Sequence, residues 1–342
     1  MNRSRLRFVV GGVLLLALPF LLSGRGYLVY LVDLAGVYVV LTLGLNILTG
    51  YAGQISIGHA AFMAIGAYTS ALLTLKLGAP FWLAMPVAGL IAAAVGGFLG
   101  ITALRLSGHY LAIATLGFGV AISQLAAAWE PVTGGFQGLK PPKPSLFGIL
   151  FNNEIKYYYL ELAVVVLLVW LAVNLLRTRA GRAFMATRDS EIAAQAMGIS
   201  LPEFKTAAFA TSAFYAGVAG SLYGHLVGFI SPFDFNLSVS LMLLAAIVVG
   251  GLGSIEGSVF GGIFITLLPQ LFSRVKNLPS VLTGVVLILV VLFLPSGLAD
   301  LVRRVKLRII ARAGTGAGPG AGVAAGTSAG AGGEGLDVSA GD

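Results

Sequence analysis

Cysteine is absent from the 342 residues, which excludes structural disulfides, thiolate catalysis and cysteine-ligated metals. Charge is scarce: Asp, Glu, Lys and Arg make up 10% of the chain, against about 25% in a soluble domain. The three histidines, His59, His109 and His225, show no pairing at metal-ligand spacing, so no metal is assigned. No H-E-x-x-H, Ser/His arrangement or G-x-x-x-x-G-K-[ST] phosphate loop occurs, so no catalytic residue is assigned either. What remains is apolar: 58% hydrophobic residues and a mean hydropathy of +0.95. Such a chain has too little polar surface for water, and the bilayer is its natural solvent.

A helix needs about 20 apolar residues to cross the hydrocarbon core. Ten candidate spans follow: Phe8–Leu22, Leu28–Leu48, Ile57–Leu75, Phe81–Ala103, Tyr110–Trp129, Tyr157–Leu176, Thr206–Phe229, Leu237–Gly250, Val259–Phe272 and Val281–Ala299. The fold class is therefore all-α, a polytopic membrane protein of about ten transmembrane helices. The first run follows Arg3, Arg5 and Arg7 like a signal peptide, but no A-x-A-like site follows Leu22, so it is read as a retained helix.

The formal charge is +8. Because the basic residues sit at the ends of apolar runs, they report topology, and no nucleic-acid partner is inferred. With both termini cytoplasmic, fourteen of the 21 Lys and Arg residues fall inside and seven outside, as the positive-inside rule requires. Residues 313–342, Gly/Ala-rich and almost without large apolar side chains, cannot offset their ordering entropy and are read as a disordered cytoplasmic tail.

Gly50, Gly53 and Ile55 in LTGYAGQISIG match the spacing of Gly250, Gly253 and Ile255 in VVGGLGSIEGS. Chance would explain a match this short; a true repeat would mean two related five-helix halves, with Gly-interrupted segments near a solute path. Small residues recur at four-residue spacing, as in Gly89/Ala93/Gly97 and Ala216/Gly220/Gly224/Gly228, and let helix backbones approach closely. Polar groups inside spans are expensive and often functional; they include Asn46, Gln54, Ser56, His59, Thr115, Gln124, Ser212 and His225. Gly50, Gly53, Gln54, Ser56, Gly58 and His59 form the candidate translocation path, where backbone can approach a solute. For His59 the alternative is a hydrogen bond to a neighbouring helix; for His225 packing is favoured. Asp33, near a span end, is expected to reach the interface.

The longest polar stretch on the inside is RTRAGRAFMATRDSEIAAQAMGISLPEFK, residues 177–205. Asp189 or Ser190 can N-cap a short helix, with Glu191 at its positive end. Ala193, Ala194 and Ala196 favour helix, Gly198 stops it, and Pro202 prevents simple continuation. Two turns are marginal alone in water and need a docking surface; an ordinary amphipathic loop helix is the bland alternative.

This stretch resembles the EAA-type coupling loop of ABC importer permeases, with Glu191, Ala193, Ala194 and Gly198 at motif-like positions. It departs from the general form: Ile192 separates Glu191 from the alanines, and Ile199-x-Leu201-Pro202 follows the glycine. That variant, together with GLNILTGYAGQISIGHAAFMAIGAYTSALL (Gly44–Leu73), TGGFQGL (Thr133–Leu139) and FISPFDFNLSVSLMLLAAIVVGGLGSIEGSVFGG ending at Gly262, resembles the branched-chain amino-acid ABC transporter permeases of LivM type. The likeness runs from about Leu28 to Leu298.

The resemblance implies an ABC importer permease fold over residues 1–312. It implies ATPase coupling through Arg182, Asp189, Glu191, Ala193, Ala194 and Gly198, and an external loop at Thr133, Gly134 and Gly135. The expected partners are a second related permease, two cytoplasmic ATPase subunits, a periplasmic or lipid-anchored solute-binding protein, and membrane lipid of the bacterial inner membrane. No cofactor is expected in this chain; ATP and Mg belong to the ATPase subunits. The expected function is import of branched-chain or other hydrophobic amino acids. The alternatives are urea or short-amide import, separable by the binding protein's ligand, and ATPase-independent secondary transport, separable by co-purification with an ATPase.

Overall fold

The computed structural model describes residues 15–22, 26–104, 106, 108–146, 149–151, 153–271, 284, 292 and 297–300. Its helices are α1 (Gly26–Asn46), α2 (His59–Lys76), α3 (Phe81–Ala103), α4 (His109–Ala128), α5 (Glu130–Thr133) and α6 (Glu154–Arg177). They continue as α7 (Arg179–Asp189), α8 (Glu191–Ala196), α9 (Leu201–Val227), α10 (Leu237–Gly250) and α11 (Ile255–Leu271). Two-residue strands β1 (Ser145–Leu146) and β2 (Ile149–Leu150) form a small hairpin between α5 and α6, a minor departure from the all-helical expectation.

The second to ninth candidate spans thus appear as α1, α2, α3, α4, α6, α9, α10 and α11. The first is described only at residues 15–22, helical over 15–21, where Leu15 and Leu16 carbonyls accept hydrogen bonds from Tyr158 and Tyr159 of α6. Most of the tenth span, Arg105, and the whole tail lie outside the described residues. α9 starts five residues earlier than expected, at Leu201 rather than Thr206. Pro202 cannot continue α8, but its fixed φ suits a first helical turn, so the same proline opens α9.

Among the described residues, four helical stretches are long and apolar enough to cross a membrane: α1 with its C-terminal π turn (Ile47–Tyr51), α3, α4 and α6. α2 and α9 are long but rich in Ala, Gly, Ser and Thr, because they pack against protein. Gly66 of α2 lies on the backbone of Gly217 in α9, Gly220 of α9 lies on Met63 of α2, and Gly89 of α3 lies against Phe214 and Val218. The small-residue stripes therefore face helices of this same chain, and they draw α2, α3 and α9 into a tight core. α1 is mostly buried beside them, while α4 and α6 are mostly exposed. Ile113, Val166, Trp170 and Leu171 on those outer helices project away from the protein, as lipid-facing side chains do.

At 14 residues, α10 reaches only about 21 Å, short of the roughly 30 Å core; α11 is described over 17 residues, to Leu271. They pack as a pair, with Gly261 on Ala246, and α11 meets α1 where Gly262 lies on Val39.

The loops sort to two ends. At one end, Gly50, Arg188 and Gly253 meet. At the other, Lys76 donates to the Pro131 carbonyl at 3.2 Å, and Leu139 pairs with Ile230 in an antiparallel bridge. Loops assigned to one side by charge thus lie together. Asp33 is a correction: it does not reach an interface but is 1% exposed, two turns inside α1, against α6.

Candidate translocation and coupling site

The LTGYAGQISIG segment leaves α1 through the π turn and runs without helix from Gly53 to Gly58 before α2 begins. Gln54, Ser56 and Gly58 are buried while Gly53 and Ile55 are exposed, the alternation of an extended chain. The segment is held at its edges by side chains from other helices. Thr115 of α4 accepts from the Ile57 amide at 3.0 Å, and Ser240 of α10 accepts from the Ala60 amide at 3.0 Å. Such partners let irregular backbone exist at membrane depth.

The matched glycines lie against each other. Gly53 and Gly253 share a left-handed conformation, with φ of 71° and 68°, and a Cβ on Gly50 would collide with the Gly253 amide. Asn46 joins the two motifs. Its Nδ2 donates to the Ser254 carbonyl and to Ser258 Oγ, both at 2.8 Å, and its Oδ1 accepts from the Gly253 amide at 2.9 Å. Thr42, one turn earlier, donates to the Ser258 carbonyl at 2.9 Å.

Replacing Asn46 by leucine should therefore leave the Gly253 amide without its Asn46 acceptor, at about 1–3 kcal/mol. It should also remove the Asn46 bonds to the Ser254 carbonyl and Ser258 Oγ, although the Ser254 carbonyl still accepts from Ser258. Thermal unfolding of the purified chain should shift down by several degrees, whereas an unchanged midpoint would show that water replaces these bonds.

Arg188, at the end of α7, reaches the same junction. Its Nη1 donates to the Gly50 carbonyl at 2.9 Å, and its side chain packs over Gly53 and Gly253. Asp189 Oδ1 accepts from Arg188 Nε and Nη2 at 3.0 and 2.9 Å. Asp189 thus orients Arg188, and Ser190 is the N-cap of α8, accepting from the Ala193 amide at 3.2 Å. Glu191 is paired at 2.7 Å with Lys205, whose side chain is 6% exposed at the start of α9. Gly198 is left-handed, φ 79°, in open space, so a β-branched residue there meets conformational strain rather than a clash.

The other coupling candidates divide. Arg182 donates to the Arg177 carbonyl at 3.0 Å and caps the end of α6. Ala193 is exposed, but Ala194 is 3% exposed and faces this chain, so it seats α8 on its own bundle. The outward apolar groups are Ile192 and Met197, 82% and 83% exposed. Sequence reasoning missed Arg188, Lys205, Ile192 and Met197. It also missed α7, although Gly181, Phe184 and Thr187, buried at three-residue spacing, mark its inner face.

His59 is fully buried, edge-on to Phe62 with ring centroids 6.0 Å apart. Among the described residues, Ser56 Oγ and Ser212 Oγ have no hydrogen-bond partner; the His59 ring makes no close hydrogen bond, and the backbone of Leu41 on the neighbouring α1 is the polar group it faces. His225 is the packed histidine that was expected, hydrogen-bonded to Ser70 Oγ at 3.0 Å and to the Pro142 carbonyl at 2.8 Å. Gln124 is exposed on α4.

At the far end, Thr133 donates to the Ala126 and Trp129 carbonyls at 2.7 and 2.8 Å and accepts from the Gly135 amide at 3.2 Å. Gly134 and Gly135, with φ of 74° and 54°, turn the chain so that Leu139 pairs with Ile230 at 2.9 Å in both directions. Two of the sequence signatures are thereby clasped to each other.

The family model described as "Branched-chain amino acid transport system / permease component" matches residues 27–294. The high-affinity branched-chain amino-acid transport system permease protein LivM of Escherichia coli K12 is 37% identical over 325 residues, covering 88% of this chain and 76% of that protein. The LivH permease protein of the same organism is 26% identical, covering 78% and 92%. The autoinducer 2 import system permease protein LsrC of Yersinia pseudotuberculosis is 27% identical, covering 60% and 58%. No solved structure matches. With its apolar helices, its broken-helix junction and a family match across most of its length, the chain is a multi-pass membrane protein and belongs to the branched-chain amino-acid transport system permease family.

Proposed function

We propose that this chain is the permease subunit of an ATP-driven importer for branched-chain or other hydrophobic amino acids. The observation that carries the reading is the hydrogen bond from Arg188, beside α8, to the Gly50 carbonyl, which ties a polar loop to the segment that breaks α1 and α2. A loop that only linked two spans would not need to grip a helix break. Its exposed face, led by Ile192 and Met197, suits a groove on a cytoplasmic ATPase. ATP and Mg would be bound there, since this chain carries no phosphate loop.

In this reading Gly50–His59 lines the path and the α7–α8 end is cytoplasmic, as are both termini. Buried Ser56, whose hydroxyl has no partner among the described residues, is costly in packing alone, which favours a role along the path. Because LivM and LivH of one organism both resemble the chain, the second permease is a LivH-like subunit. A separate solute-binding protein docks on the opposite end, at the Thr133–Leu139 loop.

The test is co-purification. Expressed with the cognate ATPases and LivH-like subunit, the tagged chain should retain ATPase through size exclusion, and the complex should hydrolyse ATP faster when the loaded binding protein is added. A chain that purifies intact without any ATPase would point to secondary transport instead.

A further inference from the structure

A cavity of about 110 Å³ opens at the end of the bundle opposite Arg188, between α1, α6, the segment before α6 and the end of α9. Its wall includes Tyr30, Asp33, Lys143, Glu154, Tyr157 and His225. Most of these groups are already engaged. Tyr157 donates to the Leu222 carbonyl at 2.7 Å, His225 is bonded to Ser70 and Pro142, and Lys143 has an interaction of its own. Asp33 is different: it is 1% exposed, and among the described residues neither of its carboxylate oxygens has a hydrogen-bond partner. Further along the same pair of helices a second acidic group packs on a glycine: Gly26 packs on Glu154, and Gly36, ten residues on, packs on Glu161, seven residues on. Glu161 is 2% exposed and faces the backbone of Val37 in α1.

A carboxylate taken out of water without a partner is strongly destabilised. An orphaned carboxylate on a cavity wall is therefore a receptor for something positive. We propose that this cavity is a binding site for a primary ammonium group, held by Asp33 with Glu154, and that it receives the α-ammonium of the solute at the outer end of the permease. The proposal rests on the amino-acid importer reading for its physiological ligand, though the site itself does not.

The choice among cations follows from the lining. Hard metal ions take six or more oxygen ligands at fixed short range, and two carboxylates with two tyrosines offer a poor cage. An ammonium needs three acceptors and gains from aromatic faces, which Asp33, Glu154, Tyr30 and Tyr157 supply. The volume is roughly that of three or four waters, enough for a methylammonium-sized head group but not for a whole branched side chain. A small site of this kind orients a solute without retaining it, as a transit site must.

The test uses a membrane-permeant carbodiimide, which couples covalently to protonated carboxyl groups in apolar surroundings, with adducts located by mass spectrometry on the full-length purified chain. Methylammonium chloride is the probe, sodium chloride the control, and leucine the zwitterionic probe. Asp33 should be labelled in buffer, and labelling should fall at least fivefold with methylammonium and with leucine but not with sodium. Asp33→Asn should remove the adduct while leaving the unfolding temperature near that of the parent chain. Three results would overturn the ammonium site: no labelling of Asp33, labelling that methylammonium does not suppress (a proton site only), or equal suppression by sodium; suppression by methylammonium but not leucine would overturn its assignment to the α-ammonium of the solute. None of these readouts involves ATPase or uptake, so the site and the importer reading can fail separately.

Discussion

Changing Ile192 and Met197 together to aspartate should strip the ATPase from the purified permease while the permease itself remains inserted and folded. α8 is six residues long and cannot stand alone in water. It is held from beneath by buried Ala194, by the Ser190 cap and by the Glu191–Lys205 ion pair. None of these is touched by the double change. What changes is the outward face, where two large apolar side chains stand 82% and 83% exposed. Burying each in a partner groove is worth about 1.5–3 kcal/mol, so losing both should weaken association by roughly a hundredfold or more. The measurement is ATPase retained per permease after size exclusion. Full retention would mean that the exposed face of α8 is not the docking surface.

Replacing Arg188 by alanine should give a different defect, with ATPase still bound and hydrolysing but solute uptake reduced about tenfold or more. Arg188 bonds inward to the Gly50 carbonyl, while its exposed pair with Asp189 orients the guanidinium. A hydrogen bond to a charged group contributes about 1.5–3 kcal/mol, and here it joins the α7–α8 loop to the break between α1 and α2. Lysine should restore little, because a single ammonium cannot bond Gly50 while also meeting Asp189 as the guanidinium fork does. Uptake and hydrolysis measured in the same proteoliposomes decide the matter. If both stay normal, the loop transmits motion by another contact; if both fall together, Arg188 supports docking instead.

The membrane helices were legible because an apolar run long enough to cross a bilayer has few other uses. The α2–α3–α9 core was partly legible, since the Gly and Ala stripes announced close packing but not which helices they faced. α8 was legible through Ser190, Glu191 and Gly198, whose capping chemistry is local. The orientation of Ala194 was not, because a short alanine-rich helix has no periodicity strong enough to reveal its buried side. Arg188 sits among four arginines between positions 177 and 188, and nothing local marks which of them turns back to the bundle. Asp33 misled for a related reason: distance from a span end fixes depth, whereas burial depends on α6, which is 121 residues further along the chain when counted from Asp33 to Glu154.

The central claim is that this chain forms the path of an ATP-driven amino-acid importer. The direct measurement is uptake of labelled leucine into proteoliposomes holding this chain, its LivH-like partner and the ATPases, with loaded binding protein outside and Mg-ATP trapped inside. The account predicts accumulation of leucine against its gradient with Mg-ATP, none with a non-hydrolysable analogue, and none when this chain is omitted. Leucine accumulation that proceeds equally without ATP, or without this chain, would contradict it.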